Sequence, residues 1–133
     1  MGAPPTTIYL QGESDVTAAV IAAGDVAVRS GFDVRGKNGI MTVVAELARN
    51  VIKYATRGRV ILTPLDGVGG RGIEVEVVDQ GPGIADLDKA MTDHFSTGKT
   101  LGLGLPGAKR LMDEFSITSA PGRGTRVVAR KWL

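Results

Sequence analysis

Two hydrophobic periods lie side by side in this chain. Ile40, Val43, Val44, Leu47, Val51 and Tyr54 recur at helical spacing, and shortly afterwards Ile73, Glu74, Val75, Glu76, Val77 alternates with period two. The first pattern must bury one stripe of a helix and the second one face of a sheet, so the chain has to lay helices on strands. The other segments fit that plan. Ile8 to Leu10 reads as a first strand. Ser14 reads as a helix cap with Asp15 in the first turn, and Val16, Val20, Ala23 and Ala27 follow at helical spacing until Gly31. Gly58 reads as the end of the second helix, and Val60 to Leu65 as a strand. Leu105, Ala108, Leu111, Met112 and Phe115 mark a last helix with Pro106 near its start, and Ile117 to Ala120 and Arg126 to Trp132 are closing strands. The order β-α-α-β-β-loop-α-β-β predicts an α+β fold, a two-layer α/β sandwich whose mixed sheet carries its helices on one face. At 133 residues there is room for one domain. Residues 1–7 read as a loose start and residues 8–133 as that domain.

Composition narrows the chemistry. The chain has no Cys and one His, His94, which excludes disulfides, thiolate metal sites and a Cys nucleophile. Glycine is the outlier, at 19 residues, and it clusters in loops. The net charge of +2 is too small to imply nucleic acid. Local charge is stronger: Arg35 to Arg59 and Arg123 to Lys131 are basic blocks, and Glu74 to Asp93 is an acidic one. Folding can bring these blocks together at a polyanionic ligand or a partner protein. No apolar run reaches the ~18 residues of a membrane span, and the first twenty residues lack the pattern of a signal peptide. A cytoplasmic protein is expected, with no membrane and no nucleic-acid partner.

Four elements carry chemistry. Counted from Ile40, the apolar stripe centres near 0°, while Glu46, Asn50 and Lys53 fall at roughly 240°, 280° and 220°. Glu46 and Asn50 therefore share one edge of the stripe. They are either solvated surface residues or a carboxylate and an amide facing a cleft; an amide oxygen there suits Mg²⁺. Asp79 comes straight off the alternating strand, and Gly81 and Gly83 follow. That is an ordinary turn or a carboxylate aimed at an exocyclic amine, with glycines letting the backbone approach a flat ligand. Gly102-Leu103-Gly104-Leu105-Pro106-Gly107 matches a dinucleotide fingerprint in form, but no strand directly precedes it and Val127 stands where the acid belongs. Gly98-Lys99-Thr100 is no P-loop, because Asp93 occupies the first glycine position. What survives is a glycine loop opening a helix, whose free N–H groups favour anions, with Lys99 close in sequence. Gly124-Thr125 is by default a hairpin.

The order Glu46-x-x-x-Asn50, Asp79-x-Gly81-x-Gly83, Gly102-x-Gly104, Gly124-Thr125 resembles the ATP-binding domain shared by gyrase, Hsp90, histidine kinases and MutL proteins, the GHKL superfamily with its Bergerat-type fold. The resemblance spans roughly residues 8–133. It implies that Asn50 holds Mg²⁺ and Asp79 binds the adenine amine. Gly81 and Gly83 would shape the adenine pocket, Gly102, Leu103, Gly104 and Lys99 would face the phosphates, and Thr125 would support Asp79. Residues 84–101 correspond to the family's mobile ATP lid. The larger GHKL proteins carry further domains, so length leaves the small stand-alone serine kinases of bacterial partner switching. Within them the chain is most similar to the stressosome switch kinases. The residues that carry this are Glu46 to Asn50, Asp79 to Ile84, Phe95-Ser96-Thr97, Gly104 to Gly107, Lys109 to Phe115 and Lys131-Trp132-Leu133. That likeness implies a protein serine/threonine kinase using ATP and Mg²⁺, with Glu46 as general base. Its substrate would be a scaffold or antagonist protein, and the released kinase would activate a protein phosphatase. An anti-sigma factor kinase and a non-catalytic ATP-binding module are the alternatives.

Overall fold

The chain runs β1 (Thr6–Leu10), α1 (Glu13–Arg29), α2 (Val34–Tyr54), β2 (Gly58–Gly67), β3 (Gly70–Asp79), α3 (Gly104–Leu111), β4 (Glu114–Ser119) and β5 (Thr125–Trp132). This is a computed structural model, and it describes residues 3–81, 104–119 and 121–133. The strands lie in the order β1-β2-β3-β5-β4. All four pairings are antiparallel, which corrects the expected mixed sheet. The reason is the placement of β5. Strands β3 and β4 do run the same way, as a crossover through a helix requires. The β4–β5 hairpin inserts β5 between them, so the parallel pair never forms a ladder.

Alternation fixes the layers. Leu10, Val60, Leu62, Ile73, Val75, Val77, Val127 and Ala129 are buried on the inner face. Against them lie Val16, Ala19, Ala23, Val26 and Ala27 of α1, and Ile40, Val43, Val44, Leu47, Ala48 and Val51 of α2. The small residues of α1 let the two helices sit close on one sheet. Truncating Leu47 to Ala would cost about 2–5 kcal/mol, because the two rigid layers around it cannot collapse into the space.

On the outer face the acidic and basic blocks meet each other. Glu76 pairs with Arg126, and Arg130 pairs with Glu74 at 2.9 Å and with Glu114 at 3.4 Å. The hydrogen bond from Arg130 to Glu74 raises the guanidinium pKa above its ordinary value, so Arg130 stays charged. Cross-strand pairs of opposite charge support the β3–β5 register.

Element ends differ from the sequence reading in four places. Strand β1 starts at Thr6, so Thr6 and Thr7 of the expected loose start are paired with Leu62 and Ile61. Ser14 does not cap α1; the Asp15 carboxylate turns back and accepts the N–H groups of Gln11 and Gly12 at 2.8 and 3.1 Å. Helix α2 is capped by Asp33, which accepts from Gly36 N–H, and it ends at Tyr54 with Thr56 in the left-handed region at φ 67°. Gly58 belongs to β2, and Tyr54 is exposed under the Lys53 ammonium. Helix α3 ends at Leu111, so Met112 lies just beyond it and Phe115 lies in β4.

Candidate functional site

At one end of the sheet a single row crosses all five strands. Leu10 faces Gly58, Gly58 faces Asp79, Asp79 faces Thr125, and Thr125 faces Ser119. Inner-face parity continues from Val77 to Asp79 and from Val127 to Thr125, so these side chains point to the helix layer. The row changes from apolar to polar at Asp79. Its Oδ1 accepts the N–H of Gly81 at 2.9 Å, and its second oxygen has no partner among the described residues.

Three close approaches seat this carboxylate. A Cβ at Gly58 would lie 2.4 Å from the Val78 carbonyl and 3.1 Å from Asp79 Cβ. A Cβ at Gly81 would lie 2.5 Å from Ala55 Cβ and 3.2 Å from Asp79 Oδ1. At Gly124, with φ 77°, it would lie 2.2 Å from the Asp79 carbonyl oxygen. No side chain fits at any of them, and Asp79 ends β3 in a recess walled by backbone. The Thr125 hydroxyl meets Ser119 Oγ at 2.8 Å, and Ser119 Oγ donates to the Gly124 carbonyl at 3.0 Å. This hydroxyl pair braces the turn that presses on Asp79.

The last turns of α2 pass over the same end. Val51 Cγ1 lies 2.9 Å from where a Gly58 Cβ would be, and Ala55 abuts Gly81. Asn50 precedes Val51 on the flank of the helix, half-buried, with no hydrogen-bond partner among the described residues. One turn earlier, Glu46 is buried at 8% exposure, and its Oε1 accepts the N–H of Gly104, the first residue of α3, at 3.1 Å. Of the two sequence readings of Glu46, the solvated one is therefore corrected: α3 covers this flank of α2.

Among the site residues expected from sequence, Glu46, Asn50, Asp79, Gly81, Gly104 and Thr125 are gathered around this end of the two layers. Gly83, Lys99, Gly102, Leu103 and the lid span 84–101 lie outside the described residues. Sequence reasoning missed Gly58 and Ser119. Gly58 was legible in principle, since it shares the inner-face parity of Val60 and Leu62; Ser119 needed the β4–β5 register.

The donor set limits what the site can hold. Among the described residues no three His, Cys, Asp or Glu side chains converge as a metal cage. One amide, Asn50, with a carboxylate one turn away suits a hard cation that keeps most of its waters and arrives with a phosphate ligand. A free carboxylate oxygen in a backbone-lined recess suits a flat ring bearing an amino group. The residues present thus fit a nucleotide carrying Mg²⁺.

The comparisons with known proteins agree on the class. The model of the histidine kinase-, DNA gyrase B-, and HSP90-like ATPases matches residues 36–133, and the chain belongs to this family. Two solved histidine kinases share its fold: mycobacterial MprB, at TM-score 0.55 and 18% identity over 98% of this chain and 99% of that one, and Acinetobacter baumannii AdeS, at TM-score 0.55 and 15% identity over 98% and 68%. Closer in sequence is the serine/threonine-protein kinase RsbT of Bacillus subtilis, 44% identical over 95% of each chain. The anti-sigma F factor of Thermoanaerobacter sp. (strain X514) is 32% identical over 89% of this chain and 81% of that protein. The expected α+β ATP-binding fold and the likeness to the partner-switching kinases are borne out. No helix among the described residues is long and apolar enough to cross a membrane.

Proposed function

We propose that this chain is an ATP- and Mg²⁺-dependent protein serine/threonine kinase of a partner-switching pathway, acting on a scaffold or antagonist protein. The observation that carries the reading is the convergence of the Asp79 recess with the Glu46–Asn50 flank at one end of the sheet, in a chain 44% identical to a serine/threonine-protein kinase.

Phosphoryl transfer needs positioning and neutralisation of charge more than covalent help from the protein. Bound Mg²⁺·ATP supplies the phosphoryl group and a cation to offset its charge. The free oxygen of Asp79 would accept a hydrogen bond from the adenine amine, and Gly81, with Gly83, would let the backbone wall the ring. Thr125 keeps Asp79 in place through the turn it braces. Asn50 would offer its amide oxygen to the metal, and Gly102, Leu103, Gly104 and Lys99 would supply N–H groups and positive charge to the phosphates. Glu46 takes the proton from the acceptor hydroxyl as general base. Release from the scaffold would leave the kinase free to bind and activate a protein phosphatase. The scaffold reading is favoured over an anti-sigma one because identity to RsbT exceeds identity to the anti-sigma F factor.

The test is incubation of the chain with γ-labelled ATP, Mg²⁺ and the neighbouring gene products, scored for phosphoserine and phosphothreonine. Wild type labels a scaffold partner, and Glu46→Ala binds nucleotide but transfers at least ~100-fold more slowly. Undiminished labelling by Glu46→Ala removes the base assignment. Tight capture of a sigma factor with no labelled scaffold removes the partner assignment.

A further inference from the structure

The amide expected to serve the phosphates is already taken. Gly104 opens α3 at φ 68°, and its N–H is held by Glu46 Oε1 at 3.1 Å. That N–H sits where the helix dipole favours an anion, and the chain's own buried carboxylate fills the place. One N–H has one proton to give, and two anions crowded on it repel. The proposed base and the proposed phosphate donor are therefore tied to each other in this conformation.

We infer that Glu46 is a latch: without nucleotide it holds Gly104, and the phosphate chain of a nucleoside triphosphate displaces it. The inference rests on the nucleotide reading of the site and adds its regulation. A carboxylate locked on a backbone N–H is poorly placed to take a proton from an incoming hydroxyl. Once its place at Gly104 passes to a phosphate oxygen, the carboxylate is released on the same helix face as Asn50. The general base is thus set free only when there is something to transfer. Adenosine, which ends short of the phosphates, leaves the latch shut.

The Gly104 amide reads this directly by NMR and hydrogen exchange on the full chain. In the nucleotide-free protein, Glu46→Ala should shift the Gly104 resonance and speed its exchange about tenfold or more. Glu46→Gln keeps the volume and an acceptor oxygen, so it guards against misfolding and should give an intermediate change. With a saturating non-hydrolysable ATP analogue and Mg²⁺, the Gly104 signals of all three proteins should converge. With adenosine they should stay apart. Gly81, beside Asp79, reports separately on the base pocket. If Gly81 moves with the analogue while Gly104 still depends on residue 46, the latch is wrong and the nucleotide reading stands. If neither amide moves, the nucleotide reading fails and the latch with it.

Discussion

Gly122 and Gly124 make a matched pair. Both sit in the β4–β5 turn at φ 77°, so an L side chain meets the same backbone penalty at each. They differ in what a Cβ would touch. At Gly122 nothing lies within 4 Å, whereas at Gly124 the new carbon falls 2.2 Å from the Asp79 carbonyl oxygen and 3.1 Å from Gln80 Cα. Gly122→Ala should therefore show the conformational cost alone, about 1–2 kcal/mol. Gly124→Ala should add the cost of forcing apart two backbones, a further ~1–3 kcal/mol. For a domain of this size 1 kcal/mol moves the melting temperature by roughly 3–5 °C. The melting temperature should then fall by ~3–10 °C for the first variant and by at least about twice as much for the second. The displacement at Gly124 also pushes on the end of β3, so calorimetric titration with adenosine or ATP should show at least tenfold weaker binding for Gly124→Ala and none for Gly122→Ala beyond twofold. Equal melting losses, or equal nucleotide affinities, would refute the claim that the turn presses Asp79 into place.

Three further outcomes are open to measurement. Asn50→Ala should leave the melting temperature within ~2 °C, since Asn50 is half-buried with no partner among the described residues. The same change should abolish Mg²⁺-dependent transfer; turnover that persists would move the metal elsewhere. Thr56→Gly relieves a β-branched residue at φ 67°, which after the entropy of the added glycine nets about 0.5–1 kcal/mol of stability, read as a higher urea midpoint. Arg130→Ala removes pairs to Glu74 and Glu114 that are open to solvent; the loss should stay below ~1 kcal/mol and shrink in 1 M salt, with nucleotide affinity unchanged.

The residues that position the site were unevenly legible. Alternation over Ile73–Val77 placed Asp79 at a strand end, and helical arithmetic placed Glu46 and Asn50 on one edge. Both are local patterns, and local patterns survive folding. What that arithmetic left open was whether the edge faces water. Only α3, far along the chain, decides that Glu46 is buried. Gly58 misled for a related reason. After a helix a glycine reads as a terminator, yet here a non-glycine, Thr56, takes the positive φ, and Gly58 is glycine because Val78 lies against it. The sheet order was likewise out of reach, because the insertion of β5 between β3 and β4 is a long-range pairing with no local signature.

The two halves of the site are held by different physics, and this makes them separable. The Asp79 recess is backbone on backbone: Gly58, Gly81 and Gly124 press on it from three sides, and the row from Leu10 to Ser119 ties it to all five strands. Opening it means opening the sheet. The start of α3 is joined to α2 by the hydrogen bond that Gly104 N–H donates to Glu46, an interaction of about 1.5–3 kcal/mol that a phosphate oxygen can replace. Substitutions at the recess should therefore weaken adenosine and ATP alike, whereas substitutions at Glu46 should change only the response to ligands that carry phosphates. A Glu46 variant that altered adenosine affinity as much as ATP affinity would mean that the two halves move as one, and the coupling between triphosphate and base would lose its physical ground.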